Sequence, residues 1–313
     1  MSVERIRAPA IRSRLVLEVA AELVTADQPL KQTRVLLSDH GHGWPVRLDS
    51  ASTLDAIDAV VLGESTMAMV NPSAMLTLAY RGKGPFAQPQ PVRTVCVLPS
   101  PDVFVCAATA DSGLASFEDI GAKRFPLKVS MRAQREHPLH MVFDHMMEAS
   151  GFSRDQLLSW GGEVRYDGGP RIPKTEAIVR GANAVCDEAI RSWLAPAIHS
   201  GMRVLSLSEP AAQRMEAMGY RRSILPKKTY PELPSDVIAV DFSGWAVFVR
   251  EDAPDALVSQ ICAALEARRH LIPWDGDGPL PLERMCCDTP EAPMGVPLHA
   301  AAERFWRERG YIR

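Results

Sequence analysis

Arg132 and Arg135 follow a short apolar run that ends near Ser130. A guanidinium group can bond a carboxylate or phosphate through two parallel N–H donors, so arginines at a strand mouth point to capture of a small anion. Asp187 and Glu188 follow a second apolar run, Asn183–Cys186. Carboxylates there can receive an ammonium group, act as a general base, or simply cap the next helix. His137 and His140, at helical i and i+3 spacing, share a face and read as ordinary surface or core residues. Asp39, His40 and His42 have the donor types of a metal site, but no second cluster stands at a ligand spacing, so no metal is assigned. No GxSxG elbow, P-loop, complete GxGxxG, HExxH or catalytic-cysteine pattern occurs, and neither a catalytic residue nor a cofactor is assigned.

A second class of candidates lies at helix N-termini. Ser52 and Thr53 precede a helix expected over Leu54–Leu62, and Asn71-Pro72-Ser73 follows a strand expected over Thr66–Val70. In open α/β sheets solutes collect beyond strand carboxyl ends, where helix N-termini present free N–H groups. Each of these residues also reads as a plain cap, with Pro72 at the first helical position.

The elements that must carry these groups are legible as a repeat. Helix, short strand, turn and helix occur in order through residues 54–80 and again through 175–193, predicting two βαβ-like halves whose turns face one cleft. The run VRTVCVLPSPDVFVCAAT breaks at Leu98–Pro101, and the strands Val237–Asp241 and Trp245–Arg250 come later; both places read as crossings between lobes. The expected fold is α/β with two lobes, residues 1–100 plus 236–313 forming one and 101–235 the other. Gly161–Lys174, with two Gly-Gly pairs, reads as a flexible segment, and Ile11–Val24 as an amphipathic helix.

Composition excludes several classes. With 46% hydrophobic and 23% charged residues and a net charge of −3, the chain is neither disordered nor a polycation. Its basic residues are scattered and not interleaved with aromatics, so no nucleic-acid partner is expected. No run of about 18 apolar residues exists, so direct membrane insertion is not expected either. Glu18 and Glu22 interrupt the one apolar stretch near the N-terminus, which spoils it as a signal-peptide core. The six cysteines form no CxxC pair; they read as unpaired thiols, Cys286-Cys287 included, in a reducing compartment.

Several ordered segments resemble the solute-binding receptors of the TAXI branch of tripartite (TRAP) transporters: STMAMVNPS, VRTVCVLPSPDVFVCAATADSGLASFEDIGAKR, TYPELPSDVIAVDFSGWAVFVREDAPDALV and the terminal PLHAAAERFWRERGY. The resemblance covers the chain from about residue 50 onward. It implies a periplasmic-binding-protein type II fold, with two α/β lobes joined by crossing strands at a hinge and closing on a small carboxylate such as an amino acid or dicarboxylate. Carried over by position, the ligand-binding residues are Ser52, Thr53, Asn71, Ser73, Ser130, Arg132, Asp187, Glu188 and Tyr230. The membrane subunits of such a transporter are the implied partners if the chain is exported. The sequence departs from the family's pattern at its start, where the signal peptide and the first strand with its Gly-rich turn look lost, and at Ser130–His137, which replaces a stretch usually rich in Gly, Ser and Thr. The expected location is cytoplasmic as the sequence stands, and periplasmic if an upstream leader belongs to it. The expected function is binding of a small anionic solute. The alternative is a cytoplasmic enzyme on the same fold, decarboxylase-, isomerase- or hydrolase-like, with a base among Asp187, Glu188, His137 and His140. A third reading is a relic without a ligand, or a partner-binding protein.

Overall fold

Two prolines in Leu98-Pro99-Ser100-Pro101 remove ladder donors and fix φ, so one extended run cannot continue through them as a strand. The computed structural model describes residues 15–17, 19–22, 33–37, 46–50, 53–168 and 174–313, and in it the chain changes sheets at this break. In chain order the first strands are β1 (Thr33–Leu37), β2 (Val46–Ser50), β3 (Met67–Val70) and β4 (Val92–Leu98). The middle of the chain supplies β5 (Val103–Thr109), β6 (Lys128–Arg132), β7 (Glu163–Gly168), β8 (Ala184–Asp187), β9 (Met202–Leu205), β10 (Arg222–Leu225) and β11 (Val237–Asp241); β12 (Trp245–Arg250) follows. One sheet has the order β1-β2-β3-β12-β4, and the other runs β10-β11-β5-β8-β6-β7 with β9 also on β5. The chain leaves the first sheet after β4 and re-enters it at β12, so both expected crossings are present and the protein is a two-lobed α/β structure.

Two sequence expectations are corrected. The first strand is not lost: β2 precedes helix Thr53–Val61 and pairs in parallel with β3, Leu48 opposite Met67 and Asp49 opposite Ala68. Val-Arg-Leu-Asp-Ser carries only two apolar residues, too short an alternation to stand out, and its antiparallel pairing with β1 completes it. The segment expected to be flexible contains β7, which lies parallel to β6 at the sheet edge. Its side chains are mostly half-buried, so no apolar pattern announces it. Residues 15–17 and 19–22 are helical, as expected. No helix among the described residues is long and apolar enough to cross a membrane.

Alternation along β5 sends Phe104, Cys106 and Ala108 to one face and Val103, Val105 and Ala107 to the other. Helix Leu139–Ala149 covers the first face with Val142, Phe143 and Met146, and helix Ile190–His199 covers the second with Trp193 and Leu194. In the other lobe, helices Thr53–Val61 and Ala74–Arg81 cover one face, and helices Asp255–Arg268 and Ala300–Glu308 the opposite one. A single apolar cluster includes Ile57 and Leu76 from one lobe, Phe143 and Met215 from the other, and Phe242 between the crossing strands.

Register also overturns the reading of all cysteines as unpaired thiols. Cys106 on β5 stands opposite Cys186 on antiparallel β8, Cα atoms 4.2 Å apart, and the two form a disulfide. Eighty residues separate them, a spacing with no sequence signature. Closing that loop is worth about 4.5 kcal/mol in the chain-entropy account. Cys96, Cys262 and Cys286 remain unpaired and buried, and Cys287 unpaired and partly exposed. Burial pushes the Cys262 thiol up to about 12. Alkylation in denaturant without reductant should therefore modify four thiols, rising to six after reduction; six at the outset would refute the pairing.

Candidate functional site

β6 and β8 are parallel neighbours, with Val129 opposite Ala184 and Ser130 opposite Val185, so their carboxyl ends come side by side. That register puts Arg132, the last residue of β6, beside Glu188, the first residue after β8. Arg132 Nη2 forms an ion pair with Glu188 Oε1, and Arg132 Nη1 lies 3.2 Å from His137 Nε2. Because a guanidinium only donates, His137 Nε2 accepts from Arg132, while Nδ1 faces the Leu139 N–H at 3.4 Å. Burial lowers the His137 pKa to about 4; Glu188 opposes that shift and Arg132 adds to it. The ring stacks on Phe242 at 6.1 Å between centroids and 12° between planes.

Glu188 is held by its backbone. Its N–H donates to Asp187 Oδ1 at 3.0 Å, and its carbonyl accepts from Trp193 Nε1 at 2.8 Å. Ala189 follows with φ +57°, a left-handed conformation that costs a residue bearing a Cβ of order 1 kcal/mol. The Ala189 N–H donates to Asp102 Oδ1 at 2.7 Å, as does the Val103 N–H at 2.8 Å. Burial raises the Asp102 pKa to about 7, against the Val103, Ala189 and Ile190 amides and with the help of nearby Glu188.

The first-lobe candidates meet the same junction from the other side. Ser73 donates both its N–H and its hydroxyl to the Ser243 carbonyl, at 3.2 and 3.1 Å. Asn71 Nδ2 donates to the Gly244 carbonyl at 3.2 Å, and the Thr53 hydroxyl to the Asn71 carbonyl at 3.0 Å. Ser243 in turn donates its hydroxyl to the Asp102 carbonyl at 3.0 Å and receives the Asp102 N–H at 3.1 Å. Asn71 and Ser73 thus spend these groups on the hinge backbone, and Thr53 spends its hydroxyl on the Asn71 carbonyl. Asn71-Pro72 is a cis peptide, and Ser73 makes no side-chain cap bond to its helix.

The structure therefore gathers Arg132, Asp187 and Glu188, with His137 added, and links them through Asp102 and Ser243 to the Asn71–Ser73 turn. Ser130 is buried beneath them, its hydroxyl donating to Asp167 Oδ1 at 2.6 Å. Arg135 is exposed and lies over the Tyr166 ring, 4.0 Å from its centroid. Tyr230 packs against the apolar cluster of helix Ile190–His199 and lines a cavity of about 270 Å³ with Asp102, Asp241 and Ser243. Ser52 and the Asp39, His40 and His42 cluster lie outside the described residues. No group of three or more His, Cys, Asp or Glu among the described residues is arranged to hold a metal. Sequence reasoning missed Asp102 and Ser243; the one available signal was that each sits in a crossing.

Most polar atoms around this junction are paired, but Arg132 Nε and Glu188 Oε2 are buried without a hydrogen-bond partner. An unpaired buried donor or acceptor costs about 1–3 kcal/mol, so the site holds one donor and one acceptor whose bonds are unmade.

A profile of the NMT1-like family matches residues 41–310. The chain belongs to that family. No curated protein matches this NMT1-like chain. Among solved structures it is similar to a periplasmic transporter, at 15% identity and TM-score 0.37, covering 82% of this chain and 78% of that one. It is also similar to the alkanesulfonate-binding protein SsuA from Xanthomonas axonopodis pv. citri bound to MOPS, at 12% identity and TM-score 0.30, covering 71% and 82%. An ancestral arginine-binding protein bound to arginine is similar at 12% identity and TM-score 0.31, covering 70% and 73%. None of these carries a ligand over to the NMT1-like chain.

Two tests follow from the geometry. His137, with its folded pKa near 4 against 6.5, contributes stability that is complete above pH 6.5 and lost as pH falls through 4. His137→Gln should remove that loss, so its urea midpoint relative to wild type should rise on acidification from pH 6.5 to 4; parallel curves would refute the buried neutral ring. Gly244 has φ +79°, and a Cβ there would lie 2.8 Å from Pro293 Cδ and Val97 Cγ1. Gly244→Ala should lower unfolding free energy by roughly 2–4 kcal/mol in a denaturant titration.

Proposed function

We propose that the protein is a solute-binding protein that holds a small carboxylate between its lobes, with Arg132 as the anchor. The observation that carries this reading is the pair of unmade hydrogen bonds at adjacent strand ends, Arg132 Nε and Glu188 Oε2. A solute completes the site by bringing an acceptor to the guanidinium and a donor to the carboxylate. The Arg132–Glu188 pair supports the choice of anion, since Arg132 already has a carboxylate as partner. Displacing Glu188 without giving it a new donor would strand a buried charge at a cost of about 3–5 kcal/mol. The favoured solute therefore carries an N–H or O–H beside its carboxylate, as hydroxy acids and amino acids do.

Within the family we assign the chain to the TAXI-type receptors, on the strength of STMAMVNPS, the TYPELPSDVIAVDFSGWAVFVREDAPDALV segment and the terminal PLHAAAERFWRERGY helix. The role that goes with that assignment is delivery of the solute to a membrane transporter component in the periplasm. The Cys106–Cys186 disulfide supports an oxidising compartment.

The test is a thermal-shift panel of simple acids, each beside its hydroxy-acid and amino-acid counterparts, with mass spectrometry of the compound afterwards. The expected result is a raised melting temperature for a member with an adjacent donor, recovered unchanged. Arg132→Gln should weaken that compound by about 10- to 100-fold, the worth of one charge-assisted bond. A compound that binds Arg132→Gln as tightly as wild type, or that is converted, would overturn the reading.

A further inference from the structure

Asp102 bonds both the second crossing and the turn after Glu188. It sits between β4 and β5, in the first crossing. Its main chain faces the second crossing: the carbonyl accepts from the Ser243 hydroxyl at 3.0 Å and from the Phe242 N–H at 3.0 Å, and its N–H donates to Ser243 Oγ at 3.1 Å. Its side chain faces the other way, with Oδ1 accepting from Ala189, directly after Glu188. Ala189 is one of two non-glycine residues with positive φ among those described. A left-handed alanine persists only where its surroundings fix it, and the Asp102 bond is the tertiary contact at its amide. Ser243 meanwhile carries the Ser73 amide and hydroxyl from the opposite lobe.

We propose that the Asp102 side chain is a positioning residue that makes the hinge set the aim of Glu188, so that lobe closure and the Arg132–Glu188 arrangement change together. This rests on the solute site proposed above, but the coupling itself is measurable without any solute. Rotation of the lobes about the crossings moves Ser243 and Asp102 as a unit, and Asp102 draws the Ala189 amide with it. The strained turn then re-aims Glu188, which alters the hydrogen bonds open to a solute at Oε2 and at Arg132.

The same group gives the coupling a pH signature. Asp102 titrates near 7, because burial and Glu188 disfavour its charge. The charged groups around it are Asp187 at the end of β8 and Glu188 just after it, Arg132 at the end of β6, Asp241 at the end of β11, Arg221 before β10, Arg222 at its start, Arg191 on helix Ile190–His199, and Glu291; Arg191, Arg221, Arg222, Asp241 and Glu291 share its cavity. Asp241 is itself raised by burial, and the ring of His137 is already neutral in this range, leaving Asp102 the group titrating near neutrality with a direct bond to the turn. The ionised carboxylate is the stronger acceptor for Ala189, so the turn tightens as pH rises through 7.

Hydrogen exchange of the unliganded full chain tests the coupling directly. Asp102→Ala should speed exchange across residues 187–192 by about tenfold, the effect of one lost bond to a charged group, and Asp102→Asn, which keeps an acceptor oxygen, should restore most of the protection. Wild type should gain protection there between pH 6 and 8 after correction for intrinsic exchange, and Asp102→Asn should not. With a compound identified by the acid panel, Asp102→Ala should weaken binding about tenfold and Asp102→Asn about threefold or less, with a flat pH profile for the latter. Unchanged exchange over 187–192 in Asp102→Ala, or an Asp102→Asn variant that retains the wild-type pH profile, overturns the proposal. Failure of every acid to bind would refute the solute reading while the exchange data still decide the coupling.

Discussion

The molecule turns on the hydrogen bonds that join its two crossings. Ser243 and Asp102 exchange two bonds, one from each residue's donor, and the Ser243 carbonyl takes both donors of Ser73. Ser73 and Ser243 are nearly inaccessible to solvent. Polar groups buried this deeply are costly unless paired, so pairing fixes the relative position of strands that lie far apart in sequence. The left-handed Gly244 allows the close approach that makes these bonds possible, packed between Pro293 and Val97. Everything at the candidate site is hung from this junction.

Against that fully bonded hinge, the charged group above it is built differently. Arg132 and Glu188 form a buried ion pair whose mutual attraction offsets desolvation only where the remaining hydrogen-bond positions are filled, and here one position on each partner is open. His137 does not fill them: its ring is neutral, accepts from Arg132 and lies flat against Phe242. A pair that is incompletely satisfied on a rigidly satisfied base is what a site requires if binding is to add bonds without first breaking the scaffold. The energetic contrast between the two layers motivates the binding reading more directly than any single residue type does.

The apolar framework keeps that contrast in place. β5 divides its side chains between two cores and directly follows the first crossing, so packing on both faces anchors the strand next to Asp102. The disulfide ties the same strand to β8, which ends at the Glu188 turn. Glu188 is thus flanked by two ties, the Cys186 disulfide to β5 before it and the Ala189 bond to Asp102, just ahead of β5, after it.

Much of the framework was readable without coordinates. Apolar runs set β3, β8, β11 and β12, prolines set the break after β4, and the repeated helix-strand-turn pattern announced two halves, because periodicity and backbone restriction are local properties. Arg132 and Glu188 were also legible as chemistry at strand ends. Their pairing with each other was not, since it depends on which strands become neighbours in the second sheet. The same holds for Cys106 and Cys186, brought opposite by register across 80 residues. Local sequence equally could not say that Asn71 and Ser73 face the hinge backbone instead of open space, or that Asp102, an unremarked residue after a Pro-Ser-Pro break, holds the turn at Ala189. Sequence determined where strands end and which groups stand there; tertiary structure decided which of those groups were consumed by one another, because buried donors and acceptors take their partners from whatever the fold brings within reach.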